Sequence, residues 1–222
     1  MIAGETLERT GELCGVHRNT AFRWRHRFLK WQNQTQSRDL SGIAECDETN
    51  FYRSEKGSKK LQRRPRKRGG DHIPRGSKEL IPVIVLRDRF GNGADRVALN
   101  GSPSHIKDLF HRHLAADTLL ITDAKTALCA GAKNWNEACH IRLVGKQARG
   151  KKSTPYHIQT VNAFHSSLKI WIARFRGVAS KYLANYVGWH RHLAERHHRN
   201  NPNLFILLAF NPLAVNHKLT VI

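Results

Sequence analysis

Acidic residues are scarce in this chain. Its 17 Asp and Glu stand against 38 Lys and Arg, a formal net charge of +21 with a sequence pI near 10.6. Such an excess points to a polyanionic partner, because each phosphate neutralised releases condensed counterions. Nucleic acid leads, although a ribosomal or membrane-surface protein would be as basic. Cysteine is sparse too: Cys14, Cys46, Cys129 and Cys139 are scattered, with no CxxC pair and no matching histidine spacing. That excludes a zinc ribbon, and the four read as reduced core thiols of a cytosolic protein. Long apolar runs are missing, and the start MIAGETLERTGELCG lacks a basic region followed by an apolar one. No membrane span or export signal is therefore expected, and the chain is placed in the cytoplasm.

What is present suits one globular domain and an appendage: 222 residues, 40% of them hydrophobic. Leu7, Leu13 and Cys14 mark a first helix, Gly15 a turn, and Asn19 an N-cap for a second helix spaced by Phe22, Trp24, Phe28 and Trp31. This outlines a helix-turn-helix over residues 1–31. Its second helix offers Arg23, Arg25, Arg27 and Lys30 to DNA. Residues 32–42, QNQTQSRDLSG, are polar and aperiodic and read as a linker between domains.

The run IAECDETNFY, residues 43–52, is a strand with Asp47 and Glu48 set inside it. A buried carboxylate must be paired, protonated, solvated at a strand end or bound to a cation. Alternation turns Glu48 to the opposite face from Asp47. Next comes a basic loop able to grip phosphates, with Lys59, Lys60, Arg63, Arg64, Arg66, Lys67 and Arg68. Two β-rich runs, 80–89 and 94–99, flank the hairpin signal Phe90-Gly91-Asn92-Gly93, making three consecutive antiparallel strands. A helix around Ile106–Leu114, a strand over 118–122 ending at Asp123, a short helix over 126–135 and a strand over 140–144 follow. A second basic loop carries Lys151 and Lys152.

From Tyr156 a helix places Val161, Phe164, Leu168, Trp171, Ile172 and Phe175 on one face, beside a polar stripe of Asn162, His165, Ser166 and Lys169. It breaks at Gly177, and another amphipathic helix runs to residue 196, leaving a tail over 197–222. Three hairpin strands, helix, strand, helix, strand and closing helices are the order of an RNase H-like α/β fold: a mixed five-stranded sheet flanked by helices. In it the first and fourth strands lie side by side, so Asp47 and Asp123 converge. Paired carboxylates suit Mg²⁺ or Mn²⁺, and two such ions drive phosphoryl transfer.

The phrases ECDETNFY, LLITDAK and TVNAFHSSLKIWIARFRGVASKYLANYVGWHR resemble the ISXO-like insertion-sequence transposases, a branch of the DDE transposases. The likeness covers roughly residues 5–195. It implies an RNase H-like catalytic domain over 43–196 that cuts and joins insertion-sequence DNA ends with two divalent ions, acting on terminal inverted repeats and target DNA as a homo-oligomer. Asp47 and Asp123 match the first two catalytic acids. The third falls seven residues before the family's lysine, here Lys169, and is Asn162 where an acid is usual. Asp47, Asp123 and Asn162 are then the metal ligands, with His165 as an alternative and Lys169 on phosphate. The family usually carries a zinc ribbon ahead of its helix-turn-helix, and this chain begins inside the latter. The alternative is a truncated remnant, weak or inactive in catalysis, that only binds DNA.

Overall fold

The computed structural model describes residues 4–61, 73–74, 77–98, 103–145 and 154–195. The expected contacts Arg63, Arg64, Arg66, Lys67, Arg68, Lys151 and Lys152, and the tail over 197–222, lie outside the described residues.

Five strands form one mixed sheet: β1 (Ile43–Tyr52), β2 (Leu80–Asp88), β3 (Gly93–Val97), β4 (Leu119–Asp123) and β5 (His140–Leu143), in the order β3-β2-β1-β4-β5. β1–β2 and β2–β3 are antiparallel, while β1–β4 and β4–β5 are parallel. This is the RNase H-like arrangement, with the acid-bearing strand at its centre. At the β2–β3 turn Asp88 accepts from the Asn92 backbone and side chain, both at 2.8 Å, and Gly91 supplies the positive φ of 97°.

The alternating side chains of this sheet build a core on each face. Ala44, Cys46, Ile84, Leu86 and Leu120 pack with Ile106 and Phe110 of α3 (Pro103–His113) and Leu128 of α4 (Thr126–Asn136). Val83, Val85 and Ile121 face Val161, Phe164, Leu168 and Trp171 of α5 (Gln159–Ala173). Val187 and Trp189 of α6 (Leu183–Ala194) join that second core. No helix among the described residues is long and apolar enough to cross a membrane.

The amino-terminal part departs from the sequence expectations. α1 (Leu7–Cys14) ends at Gly15, whose φ of 63° permits the turn, and α2 (Arg18–Gln34) starts before Asn19. His17 is the cap: its ring Nδ1 accepts from the Asn19 N–H at 3.2 Å, and its carbonyl accepts from Ala21. α2 then runs past residue 31, and its Leu29 is buried in the same core as the sheet. Its last turn lies so close to α6 that a Cβ on Gly188 would come 2.9 Å from the Asn33 Cα. Residues 32–42 are no free linker. The Arg191 guanidinium, ion-paired with buried Asp95, also donates to the carbonyls of Gln32 at 2.7 Å and Thr35 at 3.0 Å. The Gln36 side chain exchanges bonds with the Asp95 backbone, and His113 Nδ1 bonds the Ser37 carbonyl at 2.7 Å. The boundary expected near residue 31 is therefore a packed junction. Of the four thiols expected in the core only Cys46 is buried, and Cys14 is exposed.

Candidate active site

The parallel register between β1 and β4 runs from Ile43↔Leu119 to Cys46↔Thr122, so Asp47 and Asp123 are the next residues on two neighbouring strands. Alternation puts Asp47 on the face of Glu45 and Thr49, and Asp123 on that of Ile121, which is the face covered by α5. Asp47 Oδ1 accepts from the Glu48 N–H at 2.7 Å, and its Oδ2 lies 3.8 Å from His165 Nδ1. Its side chain is 16% exposed. Burial first, then the neighbouring Asp123 charge, push the Asp47 carboxyl up to about 6, against the opposing pull of the Glu48 amide and Lys125. Glu48 turns to the other face and is ion-paired with Lys125 Nζ. The Lys125 backbone N–H in turn donates to Asp123 Oδ1 at 3.1 Å.

The third element is α5. Asn162 and Lys169 are exposed on it, and His165, between them, is 7% exposed. Burial and then the Lys169 charge lower the His165 ring to about 4, so it is neutral at pH 7. At 3.8 Å it makes no hydrogen bond to Asp47, and its buried Nε2 has no partner among the described residues. Within the same residues no three His, Cys, Asp or Glu side chains cluster as a metal cage. The two strand-end carboxylates, Asp47 and Asp123, are oxygen donors on neighbouring strands.

What sets α5 over this pair is Glu45, a residue the sequence reading passed over. It is fully buried, and its Oε2 accepts from the Val161 N–H at 2.9 Å. It therefore caps a helix whose own N-cap, Ile158, has no side-chain acceptor. Its other oxygen is ion-paired with Arg89 at 2.8 Å and lies 3.4 Å from His157 Nδ1. The available signal was spacing: a second acid two residues before Asp47 in the same strand shares its face.

The expected DNA-facing residues divide. Arg23, Arg27 and Lys30 are exposed along one side of α2 beside the exposed Trp24, and Lys59 and Lys60 are exposed after β1. Arg25 is corrected: at 2% exposure it donates to the Glu5 carbonyl at 2.6 Å and Thr10 Oγ1 at 2.9 Å. Its guanidinium sits 5.2 Å from the Trp189 ring centroid, so it braces the helices against the core.

Among known proteins, the ISXO2-like transposase domain matches residues 39–190, well over half of the chain. No curated protein matches. A solved structure, a simian T-cell lymphotropic virus intasome in complex with PP2A regulatory subunit B56 gamma, is similar at 12% identity and a TM-score of 0.34. The likeness covers 70% of this chain and 50% of that one, so the chain spans half the length of its neighbour. With both strand-end aspartates, α5 and most of α6 inside the matched span, the chain belongs to the family of ISXO2-like transposase domains.

Proposed function

We propose that the chain is an insertion-sequence transposase that cuts and joins DNA ends at Asp47 and Asp123 with divalent metal. The observation that carries this is the register: two carboxylates end up side by side on adjacent parallel strands, under a helix, inside a transposase domain. The donor chemistry fits Mg²⁺ or Mn²⁺, since the proposed donors are all oxygens and one carboxyl is pushed up to about 6 by burial and then by its anionic neighbour, both penalties on its charged form that a bound cation offsets. When bound, two such ions supply Lewis-acid activation of the attacking hydroxyl and stabilisation of the leaving oxygen.

The residues then divide the work. Asp47 and Asp123 hold the metal, and Asn162 adds a neutral carbonyl oxygen that leaves the site one charge poorer than three acids would. Neutral, buried His165 packs 3.8 Å from Asp47 on the inner side of the site. Lys169, on the same side of α5, reaches phosphate. Arg23, Arg27 and Lys30 meet DNA along α2, and copies of the chain assemble on the paired ends.

The exposed, uncharged Asn162 favours a second reading, in which the chain holds DNA without cutting it. One assay separates the two: purified protein, labelled terminal-repeat DNA, and Mg²⁺ or Mn²⁺. Nicking or strand transfer that disappears in Asp47→Ala and Asp123→Ala supports the transposase. Salt-sensitive binding with no metal-dependent product supports the binding protein.

A further inference from the structure

Beyond the carboxylate pair, a cleft of about 1200 Å³ opens between the amino-terminal helices and the turn after α5. Its floor is tied down. The Ser54 N–H donates to Ser180 Oγ at 2.7 Å, and the Ser180 N–H donates to the Ser54 carbonyl at 2.8 Å. The Lys56 ammonium donates to three successive carbonyls, Phe175 at 2.9 Å, Arg176 at 3.1 Å and Gly177 at 2.9 Å. These carbonyls belong to the turn just past the C-cap of α5, Arg174.

That clamp holds Arg176 at a φ of 49°, in the left-handed region, which costs free energy for any residue with a Cβ. Glycine adopts it freely, as Gly177 does next door at 91°. An arginine standing where glycine would be unstrained points to a use for its side chain. Arg176 lines the cleft with Arg174 and Lys181; all three are exposed, and among the described residues none is paired with a carboxylate. The acids of the lining are Glu8 and Glu55, and Glu8 is engaged by Arg18 at 3.2 Å.

We propose that this cleft grips the phosphate backbone of DNA away from the cut, with Arg174, Arg176 and Lys181 as its contacts and Arg176 preorganised by Lys56. Guanidinium groups fit phosphate as paired donors, and each contact adds counterion release. The inference rests on the reading that the chain acts on DNA.

The experiment is duplex binding in chelator, titrated against salt, with thermal melting of each variant and a separate Mg²⁺ cleavage assay of the wild type. Arg174→Ala and Lys181→Ala are each expected to weaken binding about tenfold near ~0.1 M salt and to flatten the log–log salt slope by about 0.9. Arg176→Gly is expected to weaken binding likewise while raising the melting temperature by about 2–4 °C, because it relieves strain. A role confined to the fold would give the opposite pair, a lowered melting temperature with unchanged affinity, and would overturn the proposal. Wild-type protein that cleaves DNA, with variants matching its affinity and slope, overturns the cleft alone. Wild-type protein that neither binds nor cleaves overturns the proposed function with it.

Discussion

Replacing Glu45 tests how α5 is held over the aspartates. In Glu45→Ala the buried Val161 N–H loses its acceptor, which costs about 1–3 kcal/mol. Arg89 loses its ion pair. Removing one partner of a buried pair typically costs 3–5 kcal/mol, but Arg89 is 29% exposed and keeps the Pro155 carbonyl at 3.0 Å, so part of its charge rehydrates. The sum is about 3–4 kcal/mol of unfolding free energy. Glu45→Gln retains an amide oxygen for the Val161 N–H and gives up only the charge, for about 1–2 kcal/mol. Urea unfolding reads both numbers. Activity separates helix placement from bulk stability. A drift of about 1 Å in α5 lowers turnover by roughly a hundredfold, so Glu45→Ala is expected to lose turnover beyond its loss of stability, while Glu45→Gln, which keeps the cap, is expected to fold, bind DNA and turn over near the wild-type rate. Glu45→Ala that unfolds within about 1 kcal/mol of the wild type and turns over normally would refute the capping role.

Acid should loosen the metal-free fold. His165 and His190 are both buried and lowered to about 4, so each is stabilising above the unfolded value near 6.5 and loses that contribution as pH falls. From pH 7 to 5 each costs about 2 kcal/mol. Asp47, raised to about 6, works in the other sense: its stabilising effect is complete below about 4 and is lost as pH rises through 6, so it offsets about 1 kcal/mol over the same interval. Urea midpoints at the two pH values, repeated in His165→Asn, check the balance; a wild type equally stable at both would contradict it. Metal binding should strengthen as pH rises through about 6, with release of the Asp47 proton, measurable by calorimetry in two buffers. Asn162→Glu adds the missing charge and should lower the Mg²⁺ needed for half-maximal cleavage by roughly tenfold, whereas an unchanged requirement would remove Asn162 from the metal shell.

The parts of the fold legible from sequence are those where one periodicity governs a whole segment. The central strand of Asp47, the apolar strand ending at Asp123 and the apolar stripe of α5 each carry their burial in their own spacing, and their order along the chain suffices for the RNase H-like topology. Arg25 escaped that logic. It lies on the same basic helix as Arg23 and Arg27, but the ring stacked against it is Trp189, from the far end of the chain. The segment after α2 failed for the same reason. Gln32, Gln36 and Ser37 look solvated, yet they are buried or half-buried, with Arg191 donating to the Gln32 carbonyl, Asp95 bonded to the Gln36 side chain and His113 bonded to the Ser37 carbonyl, all from elsewhere in the chain. Polar residues are satisfied pairwise, and no local pattern announces a distant partner. Glu45 was half legible: alternation gives its face, but not the helix end it caps.

A metal-specificity switch tests the site most directly. Asp47→Cys and Asp123→Cys replace a hard oxygen with a softer sulfur, which holds Mg²⁺ poorly and Mn²⁺ better. If the two aspartates are ligands, each variant is inactive on labelled DNA ends with Mg²⁺ and regains cleavage with Mn²⁺. Cleavage at the wild-type rate in Mg²⁺ by either variant would contradict the assignment.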